Sequence, residues 1–229
     1  LGAIALPNVA LAADSEWDWR FTTYIWASDI TVDFGDREAD VSFSDIMDAR
    51  DASLLFRLEG QGERWGMFTD VIYLDLGDDR RLDNASVDTD LKTSIIDVAA
   101  VYSPDEQRWD GLEGFAGIRY MSADFSADVD PDNAALPNRE LELDKSFTDF
   151  LIGARYIMPL SDLWSVAFRA DASFGDSDGS WSASVNTTRK IGRGALILGY
   201  RYFELELQPR ESTFDMSMYG PQIAYAFRW

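Results

Sequence analysis

The sequence predicts an all-β fold, a closed antiparallel transmembrane β-barrel of about ten strands, with eight as the alternative count. Three features support this prediction: alternation of apolar and polar residues, a separation of rings and charges onto opposite strand faces, and connections of alternating length. The final stretch "MYGPQIAYAFRW" shows the alternation clearly, because Ile223, Tyr225, Phe227 and Trp229 fall at every second position. A period of two is typical of a strand with two unlike faces.

The composition excludes several kinds of chemistry. The chain has 229 residues, of which 46% are hydrophobic, and a formal net charge of −21. Such an acidic chain lacks the clustered Lys and Arg that a nucleic-acid partner requires. There is no Cys and no His, so disulfides, thiolate metal sites and the usual general base near neutral pH are absent. We expect no cofactor.

The first 13 residues differ from the rest of the chain. "LGAIALPNVALAA" is uncharged and apolar, and it ends in small residues immediately before Asp14. Its small residues are placed as in an export-signal cleavage site, and the run is shorter than the ~20 residues of a spanning helix. We therefore expect residues 1–13 to be the remnant of an export signal and residues 14–229 to form the barrel. A short buried strand or helix is the alternative for residues 1–13.

Ten alternating segments follow, each long enough to cross a bilayer as a tilted strand of ~9–11 residues. They cover 17–26, 52–60, 64–76, 90–102, 112–124, 146–158, 162–175, 180–190, 194–206 and 214–229. Four compact connections alternate with others that are mostly longer and acidic, such as "SADVDPDNAALPNRELELD". Short turns at one rim, where both termini lie, and longer loops at the other are typical of outer-membrane barrels.

One face of these strands carries the rings and aliphatic side chains, with Trp and Tyr mostly near strand ends, as in the aromatic girdles of membrane barrels. The outward set is Trp17, Trp19, Phe21, Ile25, Leu54, Phe56, Leu58, Trp65, Met67, Val71, Tyr73, Ile96, Val98, Tyr102, Ile118, Tyr120, Phe150, Ile152, Tyr156, Trp164, Val166, Phe168, Phe174, Leu196, Leu198, Tyr200 and Tyr202.

The opposite face carries charges of both signs. Because unpaired charges are costly in a dry interior, we expect them to pair inside the barrel or to contact water there. This lumen charge network comprises Arg57, Glu59, Asp70, Asp97, Arg119, Asp149, Arg155, Arg169, Asp171 and Arg201, and Arg20 and Glu113 share the same face. A soluble barrel core would rarely accept so many ionised groups.

The export signal, the alternating strands and the closing "IAYAFRW" together resemble the small outer-membrane β-barrel proteins of Gram-negative bacteria. "FSDIMDARD" and "GERWGMFTDVIYLDLG" also resemble a family of uncharacterised outer-membrane proteins. The resemblance implies residence in the bacterial outer membrane, lipid and lipopolysaccharide as surroundings, and insertion by the barrel assembly machinery. The residues that match the assembly signal are Tyr219, Ile223, Tyr225, Phe227 and Trp229. Pro221 departs from a regular strand and suggests a bulge or kink.

Catalytic and metal sites are not predicted. Enzymes of this architecture generally use a His, which the chain lacks; Asp70, Asp97, Asp149 and Asp171 could act as acid and base, but their Arg neighbours favour a structural network. "DVDPDN" has the alternate carboxylates of a calcium loop, but Asn133 and Arg139 replace the Gly and Glu that an EF-hand requires. Weak contact of divalent cations with the acidic loops is expected at most. Ser44 is placed to cap a short helix.

Two functions remain open. The first is a structural or surface-interaction barrel whose lumen is blocked by ion pairs and by inward Phe68, Phe115 and Leu151. The second is a narrow channel for small solutes or ions. About 8 strands leave a barrel filled with side chains, whereas ~16 leave an aqueous pore, so ten strands favour the blocked lumen.

Overall fold

In a computed structural model, the protein is described over residues 17–33, 38–41, 53–82, 85–105, 109–131, 139–207 and 214–229. All regular structure in these ranges is β. No helix within them is long and apolar enough to span a membrane. The predicted export signal, the helix cap at Ser44, and Asp132 and Asn133 of the acidic loop lie outside the described residues.

Twelve strands form a single antiparallel sheet. They are β1 (Asp18–Trp26), β2 (Asp29–Asp33), β3 (Glu38–Val41), β4 (Ser53–Gln61), β5 (Trp65–Leu82), β6 (Ala85–Tyr102), β7 (Gly111–Pro131), β8 (Arg139–Pro159), β9 (Trp164–Gly175), β10 (Gly179–Ile191), β11 (Gly194–Leu207) and β12 (Phe214–Arg228).

The sheet closes on itself through β1 and β12. Phe21 lies opposite Phe227, and Trp19 and Trp229 exchange two backbone hydrogen bonds of 3.1 Å. The closed barrel has ten strands, and β3 is an additional strand outside it. The predictions of ten strands and of pairing between the first strand and the last are confirmed.

The first barrel strand is interrupted opposite Pro221. Both β1 and β2 pair with β12, but Ala27 and Ser28 between them leave the ladder. The backbone N–H of Ala27 donates to the Pro221 carbonyl at 2.9 Å. In an antiparallel sheet, the N–H and C=O of one residue point toward the same neighbouring strand. Pro221 has no N–H, so β12 cannot donate a hydrogen bond to the first strand at this position, which is where the first strand is interrupted. The irregularity suggested by Pro221 thus falls on the opposite strand, while β12 itself is continuous.

Gly220 allows the two strands to approach at this interruption. A Cβ built on Gly220 would lie 1.9 Å from the Ala27 carbonyl oxygen, whereas a Cβ on Gly114 would have nothing within 4 Å. We expect Gly220→Ala to reduce the free energy of unfolding by about 1–3 kcal/mol, because overpacking moves the backbone. Gly114→Ala is the matched control, and urea unfolding of both variants measures the difference. Equal stability of the two variants would contradict this expectation.

Four strands extend further than predicted. β5 continues to Leu82, β6 begins at Ala85, β7 continues to Pro131, and β8 begins at Arg139. Much of two segments expected to be acidic loops is therefore strand, because the period-two alternation continues there. Backbone pairing places apolar residues in one row (Leu76, Leu91, Phe125 and Leu143) and acidic residues in another (Asp79, Asp88, Asp128 and Glu140).

The outside of the barrel is apolar. Ile25, Trp65 and Phe174 are more than half exposed, and each belongs to the outward face predicted from the alternation. Rings pair near both ends of the strands, for example Trp65 with Tyr102 and Trp181 with Tyr202, at centroid distances of 4.9 and 4.8 Å. Such a belt suits lipid rather than water.

Candidate functional site: the barrel interior

Glu59 is the centre of an ion-pair cluster near the short-turn rim. It is buried on β4 and accepts from Arg20 Nε at 2.9 Å and from Arg155 Nη1 at 2.7 Å. Arg57 Nη2 lies 3.1 Å from the same carboxylate. Arg155 also donates from Nε to the fully buried Glu113 at 2.7 Å. Strand alternation brings these residues from β1, β4, β7 and β8 to one interior layer.

Asp70 connects this layer to the next. Tyr24 donates its hydroxyl to Asp70 Oδ1 at 2.8 Å, and Arg57 Nη1 donates to Oδ2 at 3.4 Å. Arg169 Nη1 lies 3.7 Å from Asp70 and donates from Nε to Asp171 at 2.9 Å. Tyr24 was not among the predicted site residues. Its inward parity on β1 was the available signal.

Arg119 is a buried guanidinium with four side-chain hydrogen bonds. Its side chain is 0% exposed, and it donates to both oxygens of Asp97 at 2.7 and 2.8 Å, to Asp171 at 2.7 Å and to Ser180 at 2.9 Å. Its guanidinium lies 5.4 Å from the centre of the Phe203 ring. A bidentate pair of this kind combines the strongest protein hydrogen bonds with a fixed orientation.

Asp149 has a different environment from the other predicted acids. It accepts from Ser173 Oγ at 2.9 Å and from the Ser177 backbone N–H at 3.0 Å, and among the described residues it forms no ion pair. Ser173 also bonds to Ser180, which binds Arg119. Asp149 therefore holds the turn between β9 and β10. It is connected to Arg119 only through the hydroxyl groups of Ser173 and Ser180.

Apolar side chains fill much of the remaining interior. Phe68, Phe115 and Leu151 form a buried cluster with Ala99 and Val101. A second buried cluster lies on the far side of the charges from the short turns and contains Trp26, Ile30, Leu55, Ile72, Leu74, Ile95, Met121, Phe203, Leu205 and Met218. Arg57 stacks on the Phe68 ring at 3.9 Å, so charged and apolar parts of the interior are in direct contact.

A cavity of about 570 Å³ occupies the interior near the short turns. Its wall includes Arg201, the tenth member of the predicted network, which is 6% exposed. Arg201 forms no ion pair with any described residue, and its guanidinium lies 5.0 Å from the Trp26 ring centre. The alternation predicted Arg201 on the inner face. It did not predict that Arg201 would form no ion pair with any described residue.

Trp109 closes part of the cavity mouth. It lies in the connection between β6 and β7, is buried, and has a φ of 66°, which is unusual for a bulky residue. Arg20 and Arg228 lie 4.0 and 5.5 Å from its ring centre. Trp109 was not among the predicted site residues. The signal was a Trp within the otherwise polar connection "PDEQRWDG".

The residues matching the assembly signal lie on the outside of β12. Ile223, Phe227 and Trp229 are about half exposed, and Tyr219 and Tyr225 are partly buried. The two rings of Tyr225 and Phe227 contact edge to face at 4.7 Å.

As for metal ligation, no group of three or more candidate ligand side chains occurs within the described residues. Asp128 and Asp130 are part of strand β7.

The polarity of the barrel is inverted relative to a soluble protein. The acidic and basic residues Glu59, Asp97, Glu113 and Arg119 are buried, while large apolar side chains cover the outside. An apolar exterior around a polar, paired interior is the arrangement that a bilayer requires of a closed sheet. The chain is a small membrane-spanning β-barrel of the outer-membrane class, and it resides in the bacterial outer membrane.

Comparison with known proteins gives structural neighbours only. No protein-family profile and no curated protein sequence matches the chain. The attachment invasion locus protein Ail of Yersinia pestis, solved with the heparin analogue sucrose octasulfate, is 12% identical, with 93% of this chain and 98% of that chain covered and a TM-score of 0.42. Neisserial surface protein A is 12% identical over 93% and 97% of the two chains, with a TM-score of 0.36.

The translocator domain of the autotransporter NalP from Neisseria meningitidis is a further neighbour. It is 12% identical, with 94% of this chain and 89% of that chain covered and a TM-score of 0.41.

Proposed function

We propose that the protein is a non-enzymatic outer-membrane barrel with a largely blocked lumen, serving a structural or surface-interaction role. The observation that carries this proposal is the fully buried Arg119, which joins Asp97 of β6 to Asp171 of β9 across the interior. Arg119 also donates to Ser180 of β10, and Arg169 of β9 contacts Asp70 of β5, Asp97 and Asp171. The two guanidinium groups together reach across the interior and balance the charges of Asp97 and Asp171. An open aqueous channel would expose such a group to water.

The apolar layer supports the same proposal. Phe203 and Met218, on β11 and β12, are 0% and 1% exposed and lie in one cluster with Ile95 and Met121 from β6 and β7. Strands from opposite parts of the barrel wall therefore meet through close-packed side chains. Interiors packed in this way leave few voids larger than a water molecule. Ion flow would require this layer to open.

The extended strands provide a surface for interaction beyond the membrane. β5–β8 continue past the aromatic belt on the side opposite the periplasmic turns, and their register aligns Asp79, Asp88, Asp128 and Glu140. Lipopolysaccharide is the partner that surrounds the barrel there. We include in the proposal weak contacts between these acidic strands and the divalent cations that bridge lipopolysaccharide, since carboxylate oxygens are preferred ligands of such ions.

Conductance in a planar bilayer tests the blocked lumen. We expect the refolded barrel to insert without producing discrete openings, because the Arg119 layer and the Phe203 layer both close the cross-section. Insertion is verified separately by the heat-dependent shift of folded barrel on gels. Steady single-channel currents from verified, inserted barrel would reject the proposal.

A narrow channel is the second candidate function. The cavity near the periplasmic turns favours it, because about 570 Å³ of the lumen is already open on that side. In this case the charged residues Arg57 and Arg169 on the cavity wall would set ion selectivity. Currents that change their anion preference in Arg169→Gln would support the channel and exclude the blocked barrel.

A further inference from the structure

The cavity near the periplasmic turns has a positive lining, although the whole chain has a net charge of −21. Eight basic side chains face four carboxylates in its wall. The basic residues are Arg20, Arg57, Arg155, Arg169, Lys190, Arg193, Arg201 and Arg228, and the acidic residues are Asp18, Glu59, Asp70 and Asp110. Low-dielectric walls concentrate the field of such an excess.

Ion pairs account for part of this charge. Arg20, Arg57 and Arg155 all bind Glu59, and Arg169 lies next to Asp70. Arg155 also binds Glu113 and Arg169 also binds Asp171, which are carboxylates outside the cavity lining. The basic residues outside these pairs sit on β10–β12 and the turn between β10 and β11. The positive excess is therefore concentrated on one side of the cavity.

Arg201 is the observation that points to a ligand. Its side chain is 6% exposed, it lines the cavity, and it forms no ion pair with a described residue. Its neighbours across the sheet are Ser184 and Gly220, which carry no charge. A buried guanidinium is stable when an anion or water satisfies its five N–H donors.

Neutral hydrogen-bonding groups complete the wall. Ser165, Ser184, Asn186, Thr188 and Gln222 line the cavity beside Arg201, and the Gln222 amide donates to Asn186 at 2.5 Å. The volume of about 570 Å³ is within the range of small-molecule sites, about 300–1,000 Å³. A bare inorganic ion would leave most of this space to water.

We propose that the cavity is a periplasm-facing binding site for a small phosphorylated polar molecule. Arg201 binds the phosphate, since a guanidinium matches phosphate oxygens in a bidentate geometry. The amide and hydroxyl groups of Asn186, Gln222 and Thr188 bind the hydroxyl groups of the molecule's body. This site lies on the periplasmic side of the Arg119 layer and does not depend on whether that layer conducts.

Calorimetric titration of the folded barrel in a nonionic detergent tests the site, with glucose 6-phosphate, inorganic phosphate and glucose as probes. We expect glucose 6-phosphate to bind, inorganic phosphate to bind at least tenfold more weakly, and glucose to give no heat. Equal affinity for the two phosphates would reject recognition of the polar body. Absence of binding by glucose 6-phosphate would reject the site.

Variants assign the binding to the cavity. Arg201→Gln is expected to weaken glucose 6-phosphate binding at least tenfold. Arg189→Gln removes the same charge from the exposed outer face of β10, where Arg189 lies over Trp164, and it is expected to change affinity less than twofold. If Arg201→Gln does not fold, Asn186→Ala in the cavity wall replaces it, with a loss of at least threefold expected. Equal effects of the cavity and outer variants would overturn the proposal.

Discussion

Deleting Phe227–Trp229 is expected to abolish the folded barrel, leaving periplasmic chain that is degraded. The deletion removes the two hydrogen bonds between Trp19 and Trp229 and the pairing of Phe227 with Phe21. An unclosed sheet would expose unpaired backbone groups to lipid, which costs several kcal/mol for each group. The proposed assembly signal is lost in the same step. Heat-modifiability of the protein in outer-membrane fractions measures the result.

Single substitutions separate the two effects of this deletion. Phe227→Asn keeps the backbone ladder but removes one ring of the proposed signal. Phe150→Asn is its matched control, because Phe150 lies on the outer face of β8 with 47% exposure against 50% for Phe227. We expect the Phe227 variant to assemble several-fold less efficiently than the Phe150 variant. Equal assembly would mean that Phe227 acts only as a lipid-facing side chain.

Arg119→Ala is expected to lower the free energy of unfolding by about 3–5 kcal/mol. The substitution leaves Asp97 and Asp171 buried without their main donor. Equilibrium urea unfolding of the barrel in lipid vesicles gives the difference. Arg189→Ala, on the exposed outer face, is expected to cost less than about 1 kcal/mol.

Arg169→Ala distinguishes a dry interior from a wet one. Arg169 contacts Asp171, as Arg119 does, but it also lines the cavity. Water in the cavity can therefore replace some of the hydrogen bonds that Asp171 loses when Arg169 is removed. We expect its cost to lie between those of Arg119→Ala and Arg189→Ala. If all three variants lost equally little stability, the charges would be solvated and the blocked lumen would be contradicted.

The strand pattern was predictable because side chains alternate strictly along a strand. Every second residue of the last strand faces outward, and the same rule assigned Glu59, Asp97 and Arg119 to the interior from sequence alone. Ten strands and their closure followed from the number of alternating segments. The lengths of β5–β8 were predicted too short, because the acidic composition of their ends is typical of loops, although the alternation continues through β6, β7 and β8.

Partners inside the barrel were not predictable from the alternation. Arg119 lies directly opposite both Asp97 on β6 and Asp149 on β8 in the register, yet its guanidinium binds Asp97 and Asp171 of β9 rather than Asp149. A long side chain reaches across the lumen, so its partner depends on barrel curvature and on competing donors. Ser173 and Ser177 satisfy Asp149 instead.

The sequence by itself determined the class of fold, the lipid-facing surface and the residues available to the interior, because each depends on local periodicity and composition. Only the tertiary structure decided which charges meet, that Arg201 remains without a carboxylate in the described chain, and that Trp109 covers the cavity mouth. These outcomes depend on distances between strands far apart in the chain. Closure of the sheet sets those distances, and no local pattern encodes them.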